Sequence, residues 1–138
     1  MLNSYLRQIK NALSSYEWVQ SVEFLRLDLS ETDLETILLY RVRIMLPEHC
    51  LLHAFERLTE SRDSGNLKRT KYHFHWQDHD RQLIRRWDNA PHHPEIKTFP
   101  DHVHVGQQDT CRASDQHSLL DILEELDSYY CREREGLS

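Results

Sequence analysis

The chain of 138 residues has little of what marks disordered, disulfide-rich or membrane-spanning proteins. It contains only three glycines and no long polar tract, so its composition shows no sign of disorder. Its three cysteines, Cys50, Cys111 and Cys131, are odd in number and form no CxxC pair, which argues against a disulfide framework. No apolar run reaches the roughly 18 residues of a membrane helix, and the amino terminus lacks a small-residue cleavage site. We therefore expect a soluble, cytoplasmic protein without a membrane partner.

The length and the charge set further limits. A chain of this size is long enough for one core and too short for two, so we expect a single domain over residues 1–138. The formal net charge of -6 argues against a protein that coats nucleic acid non-specifically. Residues 66–88 nevertheless carry more Lys and Arg than acidic residues, whereas residues 115–135 are acidic. This asymmetry allows a phosphate-bearing ligand at one place and a basic partner at another.

Hydrophobic periodicity predicts an α+β fold, with an antiparallel sheet of about five to six strands and with an N-terminal and a C-terminal helix packed on it. Apolar residues at spacings of three and four predict a helix over residues 2–15. The same spacing after an N-cap at Ser118 predicts the last helix. The predicted strands cover residues 17–29 (with a bulge at 24/25), 38–46, 51–59, 71–77, 82–88 and 102–105.

A hairpin is predicted in the middle of the chain, with its turn at residues 78–81. This turn sets His73 across from Arg86 and His75 across from Ile84, so that Arg86 and both histidines share one face. The aromatic residues that alternate with these polar positions are what a half-buried strand needs. We assign four of them to the core: Tyr72, Phe74, Trp76 and Trp87.

Histidine is concentrated in one part of the chain, since seven of the ten fall between His73 and His104. The imidazole exchanges a proton near neutral pH and is also the commonest metal ligand. Between the predicted strands, Pro91 and Pro94 bracket a histidine pair in a loop that must be stiff and extended. The candidate catalytic residues are His73, His75, Arg86, Asp88, His92, His93, His102 and His104.

One chemistry that these residues fit is metal-independent cleavage of RNA by its own 2′-hydroxyl group. This reaction needs a base, an acid and a cation that stabilises the charged phosphorane. The acid and base candidates are His73, His75, His102 and His104. Arg86 is the candidate phosphate clamp. The loop histidines, His92 and His93, would orient the substrate.

Two alternatives stay open. The HxH pairs His73/His75 and His102/His104 each place two imidazoles on one strand face, where a divalent transition metal could bind and support a metal-dependent hydrolase. Asp88 or Asp101 could add an oxygen ligand, although no HExxH or comparable motif is present. Without that ion, no cofactor is expected. The overall acidity instead favours a non-enzymatic module that binds a basic protein, so enzyme activity itself remains a hypothesis.

The segments YHFHWQD (72–78), LIRRWDNAPHHPEI (83–96) and TFPDHVHV (98–105) resemble the core signature of the TumE-type toxin family of toxin–antitoxin pairs. The run RWDNAPHHPE is the most specific part of this resemblance. It implies a small cytoplasmic toxin with a cognate antitoxin, typically a helix-turn-helix protein. The resemblance assigns no catalytic residue, and RNA as a possible substrate is an analogy with other such toxins.

Overall fold

The computed structural model describes residues 1–106, 108 and 110–136. Its seven strands form one antiparallel sheet in sequential order, with a helix at each end of the chain. The predicted α+β class is confirmed, with one strand more than expected. The elements are α1 (Leu2–Ser15), β1 (Ser21–Glu31), β2 (Glu35–Met45), a 3-10 turn (Pro47–His49), β3 (Leu51–Ser61), β4 (Leu67–Gln77), β5 (Leu83–Asp88), β6 (His102–Val105), β7 (Thr110–Ala113) and α2 (Leu119–Gly136).

Both helices pack on the same face of the sheet, where the core lies. The alternation predicted for β2 is confirmed, because Leu38, Tyr40, Val42 and Ile44 are fully buried. The four aromatic residues assigned to the core, Tyr72, Phe74, Trp76 and Trp87, are also buried. The helices contribute Leu2, Ile9, Leu13, Leu119, Ile122, Leu123, Leu126 and Tyr130. Within the described residues, neither helix is long and apolar enough to cross a membrane.

The start of α2 confirms the predicted N-cap. The backbone N–H of Asp121 donates to Oγ of Ser118 (3.2 Å), and the N–H of Ser118 donates to a carboxylate oxygen of Asp121 (2.8 Å). This reciprocal pair satisfies donors that the first helical turn leaves without intrahelical partners. Ser118 therefore fixes where the chain turns from β7 onto the core.

Glu56 on β3 is a fully buried carboxylate below the start of α2. It accepts hydrogen bonds from the hydroxyls of Tyr5 (2.6 Å) and Tyr40, from Nε of Arg69 (2.5 Å) and from the N–H of Leu119 (3.2 Å). Burial, together with the Glu56 charge, raises the pKa of both tyrosines above the usual value, so they remain donors. This network joins α1, the sheet and α2.

The register of the β4–β5 hairpin differs from the prediction. His73 pairs with Asp88 and His75 with Arg86, so the predicted partners Arg86 and Ile84 were wrong. The turn is wider than predicted because the N–H of Asp78 bonds the carbonyl of Gln82 (3.0 Å), and an irregularity follows at Trp76/Gln77. Each partner moves by two residues along β5, so every side chain keeps its face. The predicted common face is therefore confirmed.

The bulge predicted at 24/25 is present, since the β1–β2 register shifts between Phe24 and Arg26. β1 begins at Ser21 rather than at residue 17, because a turn follows α1 and the N–H of Val19 bonds the carbonyl of Tyr16 (3.2 Å). β7 was not predicted because Thr110–Ala113 spans only four residues and its two apolar side chains, Cys111 and Ala113, are small.

Candidate functional site

The face of the sheet opposite the helices carries many cationic and imidazole side chains, and we call it the basic face. Side chains that pair directly across neighbouring strands project from the same face of a sheet. Following these pairs from β1 to β7 shows that cations outnumber carboxylates here, although the chain as a whole is acidic. The cations are Arg26, Arg41, Arg43, Arg57, Lys68, Lys71 and Arg86, and the carboxylates are Glu23, Asp28, Glu35 and Asp88.

One row of this face centres on Arg86. His75 on β4 lies directly opposite Arg86, and Arg86 lies directly opposite His104 on β6. Neighbouring strands are about 4.8 Å apart, so the two histidine backbones are about 10 Å apart with the arginine between them. The two predicted HxH pairs thus share the basic face, on either side of β5.

The next row centres on Asp88, which is buried. Its carboxylate accepts hydrogen bonds from the N–H of Ala90 (2.9 Å) and from Nε of Arg86 (3.0 Å), and it lies 2.9 Å from Nε2 of His102. Nε2 of His104 lies 3.8 Å away. The bond to Arg86 uses Nε, so it orients the guanidinium and leaves the terminal nitrogens available to an anion.

His102 is almost completely buried, with 2% exposure. Its Nδ1 lies 2.8 Å from the carbonyl oxygen of Pro100, and its Nε2 faces Asp88. A carbonyl oxygen only accepts, so Nδ1–H of His102 donates to Pro100, and Nε2 is the nitrogen that faces the carboxylate. His102 and Asp88 therefore form a buried hydrogen-bonded pair that positions its neighbours without meeting solvent.

The loop between β5 and β6 brings one of its two histidines to the site. The ring of His93 lies 5.3 Å from that of His102 and 5.7 Å from that of His104, measured between centroids, and all three rings meet edge to face. His92 is exposed. Of the two loop histidines, the ring contacts therefore place His93 at the site, and a role of either in orienting a substrate stays a prediction.

Asn89 fixes the start of this loop. Its side-chain oxygen accepts a hydrogen bond from the N–H of Tyr72 (3.1 Å), and its side-chain nitrogen donates to the carbonyl of Thr70 (3.2 Å). The amide thereby continues the pairing with β4 beyond the end of β5. The hydroxyl of Tyr72 donates to Asp101 at the other end of the loop (2.8 Å). Asn89 of the signature therefore holds the start of the loop against β4.

His73 lies at the centre of the basic face and stacks on Phe55, with 5.2 Å between the ring centroids. Arg41 and Lys71 lie 5.3 Å and 5.9 Å from the centroid of the same phenyl ring. Burial, and then the charges of Arg86 and Arg41, lower the pKa of His73 to about 4. His73 is therefore a neutral imidazole at physiological pH, surrounded by cations.

Cys111 is a site residue that the sequence did not suggest. It lies on β7 directly opposite His104. Its sulfur and ring nitrogens of His93, His102 and His104 all lie within 4.8 Å of one another. This grouping differs from the metal set suggested by the two HxH pairs, because β5 separates His73 and His75 from the pair on β6. The sequence feature that could have indicated a further strand after β6 is Gly106, which adopts a positive φ at the end of that strand.

Comparison with known proteins shows the family. A family model described as Toxin TumE matches residues 9–130, which is most of the chain. The chain therefore belongs to the TumE toxin family, the toxin components of toxin–antitoxin systems, and the resemblance seen in the sequence is confirmed. No curated protein and no solved structure matches the chain.

Proposed function

We propose that this toxin cleaves RNA on the basic face by metal-independent acid–base chemistry. The observation that carries the proposal is the row His75, Arg86 and His104, in which one guanidinium lies between two imidazoles on three neighbouring strands. Transfer of a phosphoryl group to an internal hydroxyl requires these three kinds of group.

The basic face supports binding of a single-stranded RNA backbone. Arg41 on β2 lies in the Asp88 row, next to the row that contains Arg86, and Arg57 on β3 and Lys71 on β4 pair one row further on. Cations in such an arrangement neutralise phosphates and release counterions, which makes binding strongly dependent on salt. The acidic net charge keeps this attraction local to the one face.

In the proposed reaction the terminal nitrogens of Arg86 bind the non-bridging oxygens of the scissile phosphate. His75 takes the proton of the 2′-hydroxyl group, whose oxygen then bonds to phosphorus. His104 gives a proton to the 5′ oxygen as its bond to phosphorus breaks. The products are a 2′,3′-cyclic phosphate and a 5′-hydroxyl end, and the exchanged protons then return through water.

The carboxylate of Asp88 supports this assignment of roles. It lies 3.8 Å from Nε2 of His104, the proposed acid, and it orients Arg86 through Nε. His102 holds Asp88 in place and is too buried to contact RNA. Asp88 and His102 are therefore positioning residues in this proposal, and His73 is a neutral neighbour of the phosphate clamp.

The partner of this toxin is an antitoxin, as family membership implies. We propose that it is a helix-turn-helix protein and that the toxin acts in the cytoplasm, where its RNA substrate would be found. The oligomeric state plays no part in the proposed chemistry, because every residue in the Arg86 row comes from one chain.

The test is incubation of purified, metal-stripped toxin with single-stranded RNA in EDTA. We expect cleavage that yields 2′,3′-cyclic phosphate ends, and no cleavage of the same oligonucleotide with 2′-deoxyribose throughout. Absence of cleavage under these conditions contradicts the proposal. His104→Ala should abolish both cleavage and growth inhibition while antitoxin binding is retained. If the variant loses antitoxin binding as well as toxicity, a non-enzymatic binding surface is favoured.

A further inference from the structure

Four side chains at the β6–β7 edge of the basic face present a set of soft and borderline ligand atoms. His93 comes from the loop before β6, His102 and His104 are alternate residues of β6, and Cys111 lies opposite His104 on β7. One ring nitrogen from each histidine and the sulfur of Cys111 lie within 4.8 Å of one another.

These distances are close to what a tetrahedral metal site needs. Zinc binds histidine nitrogen at about 2.0 Å and cysteine sulfur at about 2.3 Å, which puts ligand atoms roughly 3.3–3.8 Å apart. Shifts of about 1 Å in the side chains would close the group around one ion. Three nitrogens and one thiolate sulfur suit zinc, and also cobalt as its probe, better than magnesium or calcium, which prefer oxygen ligands.

The surrounding structure positions three of these ligands. The β6–β7 pairing fixes the backbones of His104 and Cys111 opposite each other. The Nδ1–H of His102 donates to the carbonyl of Pro100, so Nε2 is the nitrogen that would ligate. A backbone carbonyl on the second ring nitrogen is the usual way in which proteins orient a metal-binding histidine. An ion would bind Nε2 in place of its present contact with Asp88.

We propose that His93, His102, His104 and Cys111 bind one transition-metal ion of the zinc type, and that this ion switches the toxin off. Binding of His93 would attach the loop to the sheet edge. Binding of His104 would remove the proposed acid from the Arg86 row. The switching effect rests on the proposed RNA cleavage, whereas the metal site stands on its own geometry.

The test for the site is titration of the metal-free, full-length protein with Co²⁺. We expect a one-to-one complex with the visible absorption of tetrahedral cobalt and a thiolate charge-transfer band, both removed by one equivalent of Zn²⁺. Cys111→Ser should lose the charge-transfer band, and His93→Ala should weaken binding at least tenfold. The matched controls Cys50→Ser and His92→Ala should behave as the wild type does.

A missing one-to-one complex, or a complex that Cys111→Ser leaves unchanged, would overturn the metal site. Circular dichroism of each metal-free variant shows whether it is folded. Cys111→Ser replaces only the sulfur atom by oxygen. Its cobalt titration therefore still tests the site if His93→Ala does not fold.

RNA cleavage separates the switch from the proposed function. We expect one equivalent of Zn²⁺ to inhibit the wild type, and the Cys111→Ser variant to keep its activity at that concentration. Cobalt binding without any cleavage by the metal-free toxin would retain the metal site and contradict the proposed function. Cleavage that zinc leaves unchanged would overturn the switch, as would cleavage that occurs only after metal is added.

Discussion

Asp88 and His102 form a buried pair across β5 and β6, with 2.9 Å between Oδ1 and Nε2. The same carboxylate orients Arg86, and the same imidazole is held by the carbonyl of Pro100. The pair thus connects the proposed phosphate clamp to the strand that carries His104. The geometry of the site depends on a carboxylate that solvent hardly reaches.

Replacing Asp88 should therefore lower the stability of the folded protein. Asp88→Ala removes the carboxylate that pairs with Arg86 and leaves the buried Nε2 of His102 without this contact. We expect the free energy of unfolding to fall by about 3 kcal/mol, measured by urea denaturation. The control Asp80→Ala, at an exposed turn residue, should change it by less than about 0.5 kcal/mol. Equal effects of the two substitutions would contradict the role given to Asp88.

His73 should titrate far below an ordinary histidine. Burial and the neighbouring cations lower its pKa to about 4, and NMR of the imidazole C–H resonances should measure this directly. Binding of an RNA strand should raise the pKa of His73, because its phosphates compensate the charges of Arg86 and Arg41. A pKa that RNA leaves unchanged would mean that the strand does not bind beside His73.

The same shift makes stability depend on pH. The pKa of His73 is about 4 in the folded chain and is expected near 6.5 when unfolded, so the unfolded state takes up the proton first as the pH falls. The contribution is complete above pH 6.5 and is lost between about pH 6.5 and 4. His73→Gln should reduce the loss of unfolding free energy between pH 7 and pH 5. An identical loss in the variant would contradict this assignment.

Glu56 should be more important for stability than an exposed glutamate in the same sheet. Glu56→Ala leaves the Arg69 charge and two tyrosine hydroxyls without their buried partner, and we expect a loss of about 3–5 kcal/mol in the free energy of unfolding. Glu23 pairs with Arg43 at 3.0 Å on the surface and is the matched control. Glu23→Ala should cost at most about 1 kcal/mol. Thermal unfolding would show the difference as well.

Local patterns in the sequence were sufficient for the elements and for the division between the two faces. The spacing in residues 2–15 and the cap at Ser118 each depend on a few neighbouring residues, and strand alternation alone placed Arg86 on the same face as the histidines of β4. The position of the two HxH pairs on either side of β5 depends on strand order, which local patterns do not determine.

Long-range partners were not predictable in this way. From the sequence alone, Glu56 would be interpreted as a solvated charge. Its partners Tyr5 and Arg69, which are 51 and 13 residues away, contact it only in the folded chain. Cys111 joins the site because a four-residue strand pairs with β6. Nothing in the apolar pattern of so short a strand marks it.

In the proposed mechanism, Arg86 is the phosphate clamp of a metal-free RNA-cleaving site. Arg85 is its natural control, because it is the preceding residue of β5 and its side chain projects from the opposite face. The most direct measurement is the rate of RNA cleavage in EDTA by the wild type, Arg86→Ala and Arg85→Ala. We expect Arg86→Ala to lower the cleavage rate by about a hundredfold or more. The cleavage rate of Arg85→Ala should stay within a few-fold of the wild-type rate. No cleavage by the wild type, or equal rates for the two variants, would contradict it.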